Sequence, residues 1–306
     1  MMRVTQWLKN RIAFWLLTNK SFKFFRTFGV HVTPVHFYSP VPDLRDLSAI
    51  PGFWGREFAM TGVDLQEKSQ QSFLETVVSC YRAECGFPRK PTSNPHDYYS
   101  ENSYFGFASA AAMHAAVRHF RPRTIIEVGT GHSTKVLAGA ACLNAAEGVT
   151  TELVAIDPYP NRDLLSELPG MKQVIAKKVQ EVDLQLFATL QHNDILSIDT
   201  SHAVKVGGDV VFLYLEVLPR LPGGVIVHIH DIFLPLDYPQ AWLEQRYFWN
   251  EQYLLHAFLI FNQQFEVVWG QKFSELRFPE LYHEAFAGRT EGAENFNSHS
   301  FWLRRK

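Results

Sequence analysis

The segment Ile125 to Thr134, IIEVGTGHST, constrains this chain more than any other stretch. A β-branched apolar run leads into Gly129 and Gly131 and then into a helix start at Ser133 or Thr134, so a strand must turn sharply into a helix. Glycine there lets the backbone bend and approach a ligand closely, while the free N–H groups of the helix start face that ligand. A nucleotide-like occupant is expected. A dinucleotide fingerprint wants a third glycine where Thr134 stands, which disfavours a nicotinamide site. Gly-x-Gly also serves as a plain strand-to-helix turn, so the weight falls on its surroundings.

From residue 124 onward, short β-branched runs alternate with helical runs, the pattern of a parallel sheet with crossover helices. Strands are expected at 124–128, 151–156, 172–176, 194–199, 224–230, 265–269 and 299–304. Helices fit between them at 133–143, 161–168, 183–190, 205–220 and 240–262. Upstream, the Ala-rich run ASAAAMHAAV predicts a helix over 107–120, ended by Pro122. Residues 31–100 are rich in Pro, aromatics and His and read as an irregular cover or lid with one helix over 65–81. Three parts follow: a basic amphipathic helix at 1–30, the cover at 31–100, and an α/β domain at 101–306.

Charge is distributed unevenly. Residues 1–42 carry six Lys or Arg and no Asp or Glu, leaving 23 basic against 31 acidic residues for the remainder, a net charge of −8. In the head, Val4, Leu8, Ile12 and Trp15 mark one face of a helix, with Arg3, Lys9, Arg11, Lys20, Lys23 and Arg26 interleaved among Trp and Phe. Its longest apolar run, 12–17, is far short of the roughly 20 residues that span a bilayer, and no small-residue cleavage site follows it. Residues 1–28 either lie on an anionic membrane surface or pack their apolar face on the protein. The near-neutral total charge of −2 gives no reason to expect nucleic acid as a partner. Three cysteines, Cys80, Cys85 and Cys142, with no CxxC pair, argue against a disulfide scaffold or a Cys-rich zinc site and point to a reducing, cytoplasmic compartment. Oligomeric state stays open, a homo-oligomer included.

Asp157 closes the second strand in AIDPYP, where a carboxylate at the carboxyl edge can accept hydrogen bonds from both hydroxyls of a ribose. The alternative is a helix cap, a task Asn161 can also perform. Gln180, after the third strand, either lies beside an adenine or simply precedes a helix.

The ordered set EVGTGHST, AIDPYP, VQEVD, NDILSIDTSH, LPGGVIVHIHDIFLP and FWLRR resembles the class I S-adenosylmethionine-dependent methyltransferases. More narrowly, it is similar to the bacterial group that includes macrocin-type and aminocoumarin sugar O-methyltransferases. The resemblance covers roughly residues 95–306. It implies a Rossmann-like, doubly wound seven-stranded sheet, mostly parallel with a reversed last strand. It also implies S-adenosylmethionine as cofactor, Glu127, Gly129, Gly131 and Ser133 around its methionine part, and Asp157 on its ribose. The acceptor would be a hydroxyl of a sugar or other small molecule.

Asp199, in SIDTSH, and His230 with Asp231, in VHIHDIF, end adjacent parallel strands and should converge at the sheet edge that binds ligands. Related metal-dependent enzymes hold Mg²⁺ with a carboxylate at the first position and acidic or amide residues at the second. Here His230 stands where an oxygen ligand is wanted, and imidazole suits Zn²⁺, Fe²⁺ or Mn²⁺ better, so both the presence and the identity of a divalent cation on Asp199, His230 and Asp231 stay open. His202 has the chemistry of a general base, or of a loop histidine; His228 reads as a buried structural residue. Aromatic stretches HFYSPVPD and WLEQRYFWNEQY fit an acceptor pocket and lid, or plain packing. Asn250, Glu251 and Gln252, following Trp249, form a polar triplet that is awkward in a core helix. Two further functions compete: a metal-dependent oxygenase or hydrolase using Asp199, His228, His230 and Asp231, and a non-catalytic, membrane-associated nucleoside-binding protein.

Overall fold

A computed structural model describes residues 2–286 and 299–306; the side chains of residues 1–6, 9 and 10, including Arg3, Val4 and Lys9 of the basic head, lie outside the described residues. The chain forms two compact units, one of residues 1–54 and 239–248, the other of residues 55–238 and 249–306.

The larger unit is built on seven strands: β1 (Thr124–Val128), β2 (Glu152–Ile156), β3 (Met171–Ile175), β4 (Ile195–Ile198), β5 (Ile226–Ile229), β6 (Phe265–Gly270) and β7 (Phe301–Arg305). Their order is β3-β2-β1-β4-β5-β7-β6, with β7 antiparallel to both of its neighbours. Side chains alternate across the sheet. Ile125, Leu153, Ile195 and Ile226 fill one core, and Ile126, Val154, Leu196 and Val227 fill the other, so the central strands are apolar at nearly every position. Buried Asp194 fixes the start of β1 beside β4 by accepting from the backbone N–H groups of Arg123 and Thr124, both at 2.9 Å. The Ala-rich helix Phe107–Phe120 is almost wholly buried and ends at Arg121 in a left-handed conformation before Pro122. Inside it, Arg118 is held by Glu84 and Asn144.

Several expected helices differ from the structure. The stretch 240–262 is two helices, Gln240–Glu244 and Glu251–Leu259. Arg246 has a positive φ of 70°, incompatible with helix, and the N–H groups of Asn250 and Glu251 donate to the His202 carbonyl instead. The stretch 205–220 begins its helix only at Asp209, because Gly207 is left-handed and Asp209 is occupied in accepting from Ser201. Two helices, Gln271–Arg277 and Pro279–Phe286, were not foreseen between the sixth and seventh strands.

In the smaller unit the head is two helices, Met2–Leu16 and Asn19–Arg26, rather than one. Thr18 interrupts them, its hydroxyl accepting from the Ser21 N–H as an N-cap. No helix among the described residues is long and apolar enough to cross a membrane.

Candidate functional site

A cleft of about 840 Å³ opens at the carboxyl edge of β1, β2 and β4, within the size range of small-molecule sites. Gly129 makes its first wall. It has φ +85°, and a Cβ placed there would lie 1.7 Å from the carbonyl oxygen of Asp199, so no other residue fits without moving the backbone. Gly131 meets no such obstacle: a Cβ there has nothing within 4 Å, and its N–H donates to Thr134 Oγ1 at 3.0 Å.

Glu127 stands behind this turn. It is buried and outside the cleft lining, and its carboxyl receives Ser133 Oγ at 2.7 Å and Thr134 Oγ1 at 2.6 Å. Burial pushes its pKa up to about 8 against the lowering effect of the two hydroxyls. Ser133 reaches both Glu127 and the cleft.

Asp157 lines the same cleft beside this turn. Its Oδ2 accepts from Thr130 N–H at 3.0 Å and Thr130 Oγ1 at 2.8 Å, and its Oδ1 accepts from Tyr159 N–H at 2.7 Å. The carboxylate is thereby fixed in orientation: Oδ2 is filled by its two donors, and Oδ1 keeps capacity for one more. The following helix is capped by Asn161, which accepts from Leu164 N–H at 3.3 Å, so Asp157 is not its cap. Gln180 also lines the cleft, its amide nitrogen donating to the Gly207 carbonyl at 2.9 Å. The cleft, the glycine approach and the oriented carboxylate fit a nucleoside-bearing cofactor such as S-adenosylmethionine.

Asp199 belongs both to the cleft and to a buried ionic cluster beside it. His202, left-handed at φ +52°, sends Nδ1 to Glu251 Oε2 at 2.8 Å. Its Nε2 lies 3.2 Å from Asp199 Oδ1 and 3.3 Å from Asp231 Oδ2. Burial works against charge on His202, but the bonds to Asp199 and Glu251 and the field of Asp231 hold its pKa well above the ordinary imidazole value. Burial likewise opposes ionisation of Asp231, yet the adjacent His230 keeps it well below the usual carboxylate range. His202 is buried and absent from the cleft lining, so it reaches the cleft only through Asp199.

His230 is 2% exposed and packs against Phe105, the rings tilted at 31° with centroids 4.8 Å apart. Its Nδ1 lies 3.2 Å from Asp231 Oδ1 and 3.8 Å from Asp199 Oδ2, but neither ring nitrogen has a hydrogen-bond partner. His228 is turned elsewhere. Its nitrogens face Ser197 Oγ at 3.0 Å and Ser300 Oγ at 3.3 Å, and burial pushes its pKa down to about 3. His228 therefore does not join Asp199, His230 and Asp231, and the four-ligand set of the oxygenase or hydrolase alternative does not assemble as expected.

Two residues escaped the sequence reading as cluster members. Glu251 was visible only as part of the polar triplet after Trp249; all three members tie the loops after β4 and β5. Asn250 accepts from Val204 N–H at 2.6 Å, Glu251 holds His202, and Gln252 accepts from Phe233 N–H at 3.0 Å. His299 read only as the start of a strand, and its Nδ1 lies 3.1 Å from Asp231 Oδ1. Two groups bring donors close enough to share one cation: Asp199, His202 and Asp231, and His230, Asp231 and His299. Mg²⁺ demands an oxygen shell, and each group includes imidazole nitrogen, so the donors do not fit Mg²⁺.

Comparison with known proteins gives four similarities. Residues 126–232 match the family model described as a methyltransferase domain. An uncharacterized protein of Archaeoglobus fulgidus is 30% identical over 176 residues, which are 56% of this chain and 78% of that protein. Among solved structures, the cmcI structure with SAH is 18% identical with a TM-score of 0.36, covering 74% of this chain and 90% of that one. The cmcI Mg-SAM structure is also 18% identical, with a TM-score of 0.37, covering 71% and 82% respectively.

Proposed function

The chain belongs to the class I S-adenosylmethionine-dependent methyltransferases, and from that premise we propose that it methylates a hydroxyl group of a small molecule, a sugar hydroxyl foremost. When bound, S-adenosylmethionine supplies a methyl group on a sulfonium, an electrophile that needs only a well-placed oxygen. Gly129 would give the cofactor close access to the backbone, Asp157 would accept through Oδ1 from a ribose hydroxyl, and Gln180 would border the base.

Support for a hydroxyl acceptor comes from one observation: Asp199 lines the cleft while His202 and Glu251 back it from the buried side. Asp199 accepts the hydrogen bond of the acceptor hydroxyl and aims its oxygen. Were the methyl group to pass to that oxygen, the C–O bond forming as the C–S bond breaks, the acceptor hydroxyl would have a proton to lose. Its proton then passes to Asp199, even though that carboxylate is a weak base. His202, held protonated, steadies Asp199 and is a positioning residue in this scheme. A divalent cation enters no step.

The test supplies labelled cofactor with a panel of glycosides, aliphatic alcohols and amines. Label appearing as an O-methyl ether of a glycoside supports the proposal. Transfer only to nitrogen or carbon refutes it.

We also propose that residues 1–28 contact anionic membrane surfaces peripherally. Six basic residues without an acidic one, among Trp7, Phe14, Trp15 and Phe24, carry the complementary charge and interfacial aromatics. Deleting residues 1–28 is expected to abolish flotation with phosphatidylserine vesicles; unchanged flotation contradicts it.

A further inference from the structure

We infer that His230, Asp231 and His299, with Asp199 as a fourth donor, form a site for a transition cation of the Zn²⁺ or Fe²⁺ class rather than for Mg²⁺. The inference rests on these donor atoms and not on the identity of the methyl acceptor.

Spacing is the first argument. Two ligands each about 2.1 Å from one ion lie about 3.0 Å apart at a right angle and about 3.4 Å apart at a tetrahedral angle. His230 Nδ1 and Asp231 Oδ1 are 3.2 Å apart, and His299 Nδ1 and Asp231 Oδ1 are 3.1 Å apart. Asp199 Oδ2, at 3.8 Å from His230 Nδ1, needs only a small approach.

The second argument is the unmet need of His230. His230 is a buried imidazole with no hydrogen bond at either nitrogen, its Nδ1 meeting only the Asp231 and Asp199 carboxylates at ion-pair distance, and such groups in folded proteins call for an explanation. Ligation of Nδ1 supplies one. The rival donor group has no such need, because His202 is already hydrogen-bonded through Nδ1 to Glu251 Oε2 at 2.8 Å.

The division of carboxylate oxygens points the same way. His202 takes Oδ1 of Asp199 and Oδ2 of Asp231, so Oδ2 of Asp199 and Oδ1 of Asp231 are the atoms turned toward His230. His299 is positioned rather than adventitious: its carbonyl accepts from Ile232 N–H at 2.9 Å, and its ring packs on Phe233 with centroids 4.4 Å apart. Two nitrogen and two carboxylate donors are a set that Zn²⁺ and Fe²⁺ accept and that Mg²⁺, a hard ion seeking six oxygens, does not.

The experiment uses the full chain stripped with a chelator, titrated calorimetrically with Zn²⁺ and with Mg²⁺, while S-adenosylhomocysteine binding is measured on the same preparation. One equivalent of Zn²⁺ is expected to bind at least about a hundredfold more tightly than Mg²⁺, with X-ray absorption of the Zn²⁺ form showing two imidazole ligands. His299→Ala is expected to weaken Zn²⁺ by about tenfold or more and to leave S-adenosylhomocysteine affinity within about threefold. Equal affinity for the two ions, or an absorption spectrum with fewer than two imidazoles in the unmutated protein, overturns the inference whatever the variant does. Loss of S-adenosylhomocysteine binding with Zn²⁺ binding intact would instead count against the methyltransferase reading alone.

Discussion

Gly129 and Glu127 show how much of the site is decided by single residues. At Gly129 the left-handed backbone and the 1.7 Å approach of a Cβ to the Asp199 carbonyl act together. The backbone conformation alone would cost an alanine about 1–3 kcal/mol. Gly129→Ala is therefore expected to lower the melting temperature and to weaken S-adenosylhomocysteine by about tenfold or more, roughly 1.4 kcal/mol. Normal affinity in this variant would mean that the turn does not shape the cleft. Glu127 makes a pH prediction. Its folded pKa of about 8 lies above the unfolded carboxylate value, so the folded state binds a proton that the unfolded state has lost. Its contribution to stability is present below about pH 4.5 and declines as pH rises toward about 8. His202, also raised, contributes stability that is fully present below about pH 6.5 and is lost as pH rises through its folded pKa, the same direction. Comparing the two proteins isolates the carboxyl: between pH 5 and pH 8.5, roughly the window set by this linkage, Glu127→Gln should lose less stability than the unmutated chain. Parallel melting curves would show that Glu127 ionises normally.

At the scale of elements, the carboxyl ends of β4 and β5 are bound together by the helix Glu251–Leu259. Glu251 is fully buried and faces His202; removing His202 leaves the Glu251 carboxyl unpaired, typically at about 3–5 kcal/mol, whereas removing Glu251 costs less because His202 keeps Asp199 and Asp231. Glu251→Gln and His202→Gln are each expected to destabilise the protein, and the double variant should lose clearly less than the two losses combined. Additive losses in chemical denaturation would show that the two side chains do not act as a pair. Much of this scale was legible in the sequence. Strands β1, β2 and β4 announce themselves because they are buried on both faces and apolar throughout, and the order of motifs carried the topology. The break within 240–262 was not legible, because a tertiary acceptor, the His202 carbonyl, captures the N–H groups that helical periodicity would assign locally. Similarly, Glu251 and His299 approach the cluster from segments 49 and 68 residues away from their partners His202 and Asp231, a proximity that local spacing cannot encode.

For the molecule as a whole, the proposed function puts cofactor recognition at one edge of a seven-stranded sheet and the acceptor at the neighbouring strand ends. The placement of Gly129, Asp157 and Asp199 in the cleft was readable because each terminates or follows a strand at the carboxyl edge of the sheet. Their roles remain tied to one claim, that this cleft holds an S-adenosyl nucleoside with Asp157 on its sugar. Calorimetric titration of the full chain with S-adenosylhomocysteine tests that claim directly. The unmutated protein should bind one equivalent, and Asp157→Ala should weaken the affinity by about tenfold or more, roughly 1.4 kcal/mol. Absence of binding, or an Asp157→Ala variant that binds as tightly as the unmutated protein, would contradict it.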